Sequence, residues 1–239
     1  MRVVELWRFP VKSLGGERLP AADVGPEGLA GDRQWALFDL GTGFGLTARR
    51  VPDLLFATAR LRPDGGVEVV LPDGTVTADD DVLSAWVGRP VALRAAAETA
   101  GSRRYENPLD VEADADWQPF EGAGGAFHDN ADFRVTLVSA GTLRDWDRRR
   151  FRANVVLEGE GEDALVGRGI RLGSVELRVG ASIDRCVMVT RPQAGGIGRD
   201  TGVLKTLHRE RGGLLAVGAT VRTPGTVGAG DPLTVLGAD

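Results

Sequence analysis

The chain is poor in the residues that build most metal and redox sites. It has 239 residues, yet only one cysteine, Cys186, and two histidines, His128 and His208. A single cysteine excludes an internal disulfide. It also excludes an iron–sulfur cluster, which needs several thiolates. Two distant histidines that fit no HExxH pattern leave no zinc site to expect, and a Cys–His hydrolase pairing of Cys186 with His208 or His128 is a minor alternative whose contact the sequence does not show. No apolar run approaches the roughly 18 residues of a membrane span. No charged-then-apolar leader precedes the first apolar segment. The expectation is a cytoplasmic protein without a membrane span. Positive charge is not in excess either. The net charge of −5 argues against nucleic acid as a partner, because such binding needs a broad basic face. A local basic pocket remains compatible with that charge.

What the chain does have is short apolar segments divided by turns, with 34 glycines and 12 prolines. Strands are expected over 2–9, 34–40, 54–61, 67–71 and 75–79, the last two joined by a Pro72-Asp73-Gly74 hairpin. A short helix is expected over 81–88 with Asp81 as its N-cap, then a strand over 91–95. Residues 98–130 are acidic, Gly-rich and little patterned, and read as a connection. Strands resume at 133–139, 153–159, 170–173, 175–180 and 186–190, and the tail reads as a closing pair. Helical character falls at 141–150, with Thr142 as a cap, and at 201–211. The Gly-rich run 41–45 lacks the third glycine and the following helix of a dinucleotide loop, and reads as a hairpin turn. Strands at this spacing point to a mainly β fold of barrel type with a few short helices.

Two places carry candidate chemistry. In RFPVKSLGG a proline stops the first strand, and Lys12 and Ser13 come at once after it. Lys12 is either a solvated lysine in a turn or one wall of an anion pocket. Other cations and hydroxyls also fall at segment ends: Arg33, Arg49, Ser139, Thr142, Arg152 and Asn154. Arginine forks and hydroxyls suit phosphate. In SIDRCVMVTRP, Cys186 is either a small buried hydrophobe or a thiol activated by Arg185 and Arg191 beside it. Read as a strand, Cys186, Met188 and Thr190 share one face. A thiolate is a soft metal ligand.

The opening RFPVKSLGGERL…GLAGDRQWALFD resembles the N-terminal β-barrel domain found before MOSC domains. The segments FRANVVLEG, GIRLGSVELRV, RCVMVT, VLKTLHRER and VGAGDPLTVL, in that order, resemble the MOSC domain itself. The resemblance implies a β-barrel MOSC fold with an N-terminal β-barrel-like domain at 1–97, a connecting segment at 98–130 and the MOSC domain at 131–239. It extends to the mitochondrial amidoxime-reducing component and its bacterial counterparts, and so implies a molybdenum cofactor (molybdopterin) and reduction of small N-hydroxylated substrates. With no cluster in the chain, electrons are expected from a separate electron-donor protein. Cys186 matches the molybdenum ligand. Lys12, Ser13 and Arg33 match cofactor-binding positions, and Arg152 and Asn154 match lining residues. Arg49, Ser139 and Thr142 align with further members of the pocket, and Arg185 flanks the ligand. Two other readings stand beside this one: a sulfur carrier using a Cys186 persulfide, and a non-catalytic protein that binds or delivers the cofactor.

Overall fold

A computed structural model describes residues 1–99, 103–108, 116–130 and 132–237. The first third forms β1 (Val3–Arg8), β2 (Glu17–Leu19), β3 (Ala21–Gly25), β4 (Gly28–Leu29), β5 (Trp35–Asp39), β6 (Thr58–Leu61), β7 (Val67–Val70) and β8 (Val76–Thr77). Helix α1 (Asp80–Val87) leads to β9 (Val91–Ala95), β10 (Arg103–Pro108) and β11 (Trp117–Gly122). Then come β12 (Val135–Ser139), α2 (Ala140–Leu143), β13 (Val155–Leu157), β14 (Gly169–Leu172) and β15 (Val175–Asp184). Helix α3 (Gly202–Arg211), β16 (Leu214–Thr223), β17 (Gly225–Gly228) and β18 (Leu233–Val235) complete the fold. It is mainly β, as expected, with three short helices.

An eight-stranded curled sheet runs β18-β14-β15-β16-β12-β13-β1-β2. All its neighbours are antiparallel except β12 and β13. Period-two alternation separates two cores across it. Val135, Leu137, Val155, Leu157 and Val217 face the barrel interior. Val138, Val156 and Leu215 face the other way, onto Val203 and Leu207 of α3. A further core gathers Val11, Leu14, Leu37, Val69, Leu83 and Val91 from the first half.

A boundary near residue 97 in the chain is not a boundary between sheets. β1 pairs with β13, and β3 pairs with β17. The first three strands therefore complete the sheets of the second half. The turn after β1 and the segments from β5 to β9 build the other core. The stop at Pro10 is the crossing point. There the backbone leaves β1, and Lys12 N donates to Trp35 O at 2.8 Å while Gly15 N donates to Ala57 O at 2.9 Å.

Several sequence expectations are corrected. α1 starts earlier, because Asp79 and not Asp81 caps it, accepting from the backbone of Asp81 and Val82. Residues 98–130 are not a bare connection, since they contain the β10–β11 hairpin; 100–102 and 109–115 lie outside the described residues. The segment 54–61 splits into a 3-10 turn, Pro52–Phe56, and β6. Thr142 lies inside α2, behind Ser139 at the N-cap. The tail holds three strands instead of two. The Cys186 segment is not a strand: Val187–Thr190 is a 3-10 turn with Cys186 at its N-cap. Alternation therefore fails there. Met188 packs on the first-half core, while Val189 packs with α3. The run 41–45 is the expected turn, with Leu46 N donating to Leu37 O at 2.7 Å.

Glycine is required in the turn after Ser13. A Cβ on Gly16 would lie 2.2 Å from Arg8 O, a backbone atom that cannot swing aside. At Gly25 a Cβ would meet nothing within 4 Å. We expect Gly16→Ala to lose roughly 1–3 kcal/mol of stability through forced overpacking, and Gly25→Ala to stay near wild type. Urea denaturation of both variants checks this, and equal midpoints would contradict it.

Candidate functional site

Phe9 is the pivot of the site. It is the last residue before the proline, buried, with its N–H bonded to Asp32 Oδ1 at 2.7 Å. Two guanidinium groups lie on its ring. Arg152 Cζ is 4.4 Å from the centroid and Arg33 Cζ is 5.3 Å from it. Arg33 pairs with the fully buried Asp32 and donates to Arg152 O at 3.2 Å. Arg152 itself donates to Leu14 O, in the Lys-Ser turn. The expected set from 12 to 152 is thereby tied together across more than a hundred residues of chain.

Lys12 joins from the other side. It is buried, with its ammonium 5.0 Å from the Tyr105 ring centroid and donating to Phe127 O at 3.4 Å and to Asp129. The Asp129 side chain is 85% exposed, so this partner faces solvent while the lysine does not. At that exposure the carboxylate keeps most of its water, and the Lys12 charge and hydrogen bond, followed by the charges of Arg33 and Arg152, hold it below the usual carboxylate range. Asp129 thus faces three cations.

The arginines show the same field. Arg152 is pushed down to about 9, by desolvation first and then by Arg33, against the opposing pull of Asp129 and Asp32. Arg185 is pushed down to about 10, chiefly by desolvation; Cys186 and Asp184 act to raise it, Arg33 to lower it. Both stay protonated at neutral pH. Arg185 donates to Leu215 O at 2.8 Å and to Phe151 O at 3.0 Å. Its remaining Nη2 is buried with no partner among the described residues. An unmatched buried donor of this kind calls for an acceptor. Cys186, next in the chain, is half-buried and free.

Backbone strain marks the same positions. Ser13, Arg33 and Arg152 have φ of 70°, 53° and 52°. Non-glycine residues in this region carry roughly 1–3 kcal/mol each, which surrounding structure must overcome. Here the carbonyls and N–H groups of one strained turn bond the others. Ser13 Oγ accepts from Ala48 N at 3.0 Å, so its hydroxyl shapes the turn.

Of the remaining expected residues, all but Ser139 are held by other partners. Arg49 donates to Asn107 Oδ1 at 3.2 Å, on β10. Asn154 stitches strands: its Oδ1 accepts from Thr136 N and Oγ1, both at 3.1 Å, and its Nδ2 donates to Trp7 O at 3.3 Å. Thr142 donates to the buried Glu162 at 2.7 Å, and Ser139 Oγ is buried without a partner among the described residues. Of the histidines, His208 is exposed on α3, and His128 is buried at 3.3 Å from Glu27 O. Burial, then the Arg33 charge, lowers His128 to about 4. Sequence reasoning missed Phe9, Tyr105, Phe127 and Asp129. The last three lie in the segment read as a connection, and nothing in its composition signalled them.

Residues 1–86 match the model described as the MOSC N-terminal beta barrel domain, and residues 126–234 match the MOSC domain. The chain is a MOSC-domain protein. A curated relative, the molybdenum cofactor sulfurase of Drosophila grimshawi, is 26% identical over 98% of this chain and 34% of its own length. The molybdenum cofactor sulfurase of Botryotinia fuckeliana is 47% identical over 22% of the chain and 7% of its own length. The MOSC chain thus spans about a third of the first relative and less of the second. Among solved structures, the YuaD protein of Bacillus subtilis superimposes with a TM-score of 0.45 at 12% identity, over 97% of this chain and 93% of that one. YiiM of Geobacillus stearothermophilus gives 0.36 at 15% identity, over 57% and 73%. No helix among the described residues of this MOSC protein is long and apolar enough to cross a membrane.

The paired arginines set a pH test. A base loses its charge above its pKa, and Arg152 reaches that point first, at about 9. Binding of inorganic sulfate, a dianion across this range, should weaken as pH rises above about 9. Arg152→Met should weaken it at pH 7 by roughly tenfold, the loss of one charge-assisted contact. Titration calorimetry between pH 7 and 10.5 reads both effects, and a flat profile with unchanged variant affinity would contradict them.

Proposed function

We propose that this MOSC protein binds a phosphate-bearing molybdenum cofactor beside the cations gathered at Phe9 and works as an oxidoreductase on small N-hydroxylated compounds. The observation that supports the reading is the meeting of Arg33 and Arg152 on Phe9, with Asp129 held by Lys12 and reached by both arginine charges, and with the buried unmatched Nη2 of Arg185, the residue next in the chain to the single thiol. The donor set fits the group. Guanidinium forks and an ammonium suit a phosphate, and a thiolate suits a soft metal centre. The cofactor, when bound, supplies the change of oxidation state that cleaves an N–O bond.

In this reading Cys186 holds the metal through its sulfur and is neither acid nor base. Arg185, fixed by two carbonyls, directs its third donor to the cofactor. Arg152 and Arg185, whose bonds go to neutral carbonyls, would supply the charge that faces the phosphate, while Lys12 and Arg33, each paired with a carboxylate, would flank it as donors. The turn at Ser13 presents Lys12 in the required direction. The net reaction converts an N–OH compound and two reducing equivalents to the N–H compound and water. Electrons come from a separate donor protein, because the chain has one cysteine and cannot ligate a cluster.

The name of the curated relatives favours a second reading, in which Cys186 carries a persulfide and moves sulfur. A third, binding or delivery of the cofactor without turnover, uses the same cations.

One preparation separates them. The protein, expressed in a cofactor-producing host, should contain close to one molybdenum per chain by elemental analysis. Cys186→Ser should lose N-reductase turnover by at least about a hundredfold, as removal of a metal ligand exceeds the 10–100-fold typical of outer residues. Full turnover in that variant would end the first reading. A sulfur adduct on Cys186 without bound pterin would establish the second, and bound pterin without turnover under a competent reductant the third.

A further inference from the structure

Arg150 has no part in the cation cluster at Phe9, yet it is buried within the same short segment that supplies Arg152 to it. It lies on a 3-10 turn, Arg148–Phe151, directly before Arg152. It is 9% exposed and makes no ion pair among the described residues, although its charge reaches the Asp147 carboxylate that Arg149 holds. Its guanidinium instead grips backbone. Nη1 donates to Val189 O at 3.2 Å and to Arg191 O at 3.1 Å, and Nη2 donates to Gly198 O at 2.6 Å. Val189 belongs to the turn that Cys186 caps. Arg191 and Gly198 bound the Gly-rich loop that comes next in the chain.

Within that loop Gln193 N donates to Ile197 O at 2.9 Å, and Ile197 is buried. A cavity of about 260 Å³ separates Gly195, Gly196, Ile197 and Gly198 from Trp146 and Asp147. Arg149 reaches only Gly195 O, at 3.4 Å, and Ala194 N reaches Leu55 O at 3.1 Å on the far side. Asp200 N returns to Thr190 O at 2.9 Å. Arg150 is therefore the side chain that joins both ends of the loop to the Cys186 turn. Its neighbours divide related tasks: Phe151 O receives Arg185, and Arg152 bonds the Lys-Ser turn.

We propose that Arg150 is a positioning residue, which fixes the Cys186 turn and the 191–198 loop so that the thiol keeps one position beside the cation cluster. This rests on the reading of Cys186 as the reactive ligand. A planar fork with donors in fixed directions holds three carbonyls at once, which a lysine cannot reproduce.

The single cysteine makes the test direct, because every alkylation event reports Cys186. Arg150→Met and Arg150→Lys are compared with Leu172→Ala, a core change on β14 that removes stability elsewhere. Iodoacetamide alkylation is tracked by intact mass, and amide hydrogen exchange across residues 187–200 is measured in parallel. Arg150→Met should speed alkylation at least about fivefold through local opening and raise exchange in 187–200 alone. Arg150→Lys should fall between it and wild type. Leu172→Ala should leave both local readings at wild-type level. Wild-type alkylation and exchange in Arg150→Met overturn the proposal, as does a uniform rise across the whole chain like that of a general destabilisation. Should Arg150→Met fail to fold, Arg150→Lys must still show the selective rise, and its absence overturns the proposal. Molybdenum content reads the ligand hypothesis separately. A Cys186→Ser protein that keeps its metal sinks the ligand reading and leaves the loop result standing.

Discussion

Two guanidinium groups share the ring of Phe9, one from Arg33 in the first third of the chain and one from Arg152 in the second half. Like charges brought this close repel, and each also loses water. The site exists because backbone carbonyls and buried Asp32 accept from them, and because the aromatic face is electron-rich. The pairing of β1 with β13 brings Arg152 to the ring, and the bond from Arg33 N to Phe9 O at 2.8 Å brings Arg33. Remove the ring and the carbonyls, and the field felt by Asp129 and Arg152 has no reason to persist.

The cluster as a whole carries more positive than negative charge. Every cation in it is already anchored by neutral oxygen or by a single carboxylate, so the group as a whole stays positive. The strained backbone at Ser13, Arg33 and Arg152 belongs to the same logic. Left-handed residues change chain direction abruptly, and each here aims a polar group inward. The segment Arg150 to Arg152 then acts as a bracket, with one residue for the thiol-bearing turn, one for Arg185 and one for the Lys-Ser turn.

Much of the fold was legible from local pattern. Strand-forming alternation in 3–8, 35–39, 67–70 and 135–139 matched the structure, and so did the Pro72-Asp73-Gly74 hairpin, whose Gly74 has φ of 88°. What failed was short and context-dependent. CVMVT has strand composition throughout, yet it forms a 3-10 turn, because Met188 and Val189 are drawn into different cores. Asp79, Asp80 and Asp81 are equivalent as caps in composition, and the position of the preceding strand selects Asp79. The acidic stretch 98–130 hid a hairpin and the residues that flank Lys12.

Local chemistry in the sequence determined which groups this protein has to work with. A single thiol with an arginine beside it, a lysine and serine after a strand-breaking proline, and arginines at strand ends are all written in short motifs. Only the tertiary structure decided which of them meet. Lys12, Arg33, Arg152 and Arg185 converge, while Asn154, Thr142 and Arg49 are spent on strand, helix and hairpin. The reason is that convergence is set by pairings between strands far apart in the chain, such as β1 with β13, and by which polar atoms those pairings leave unmatched. Neither property belongs to any one segment.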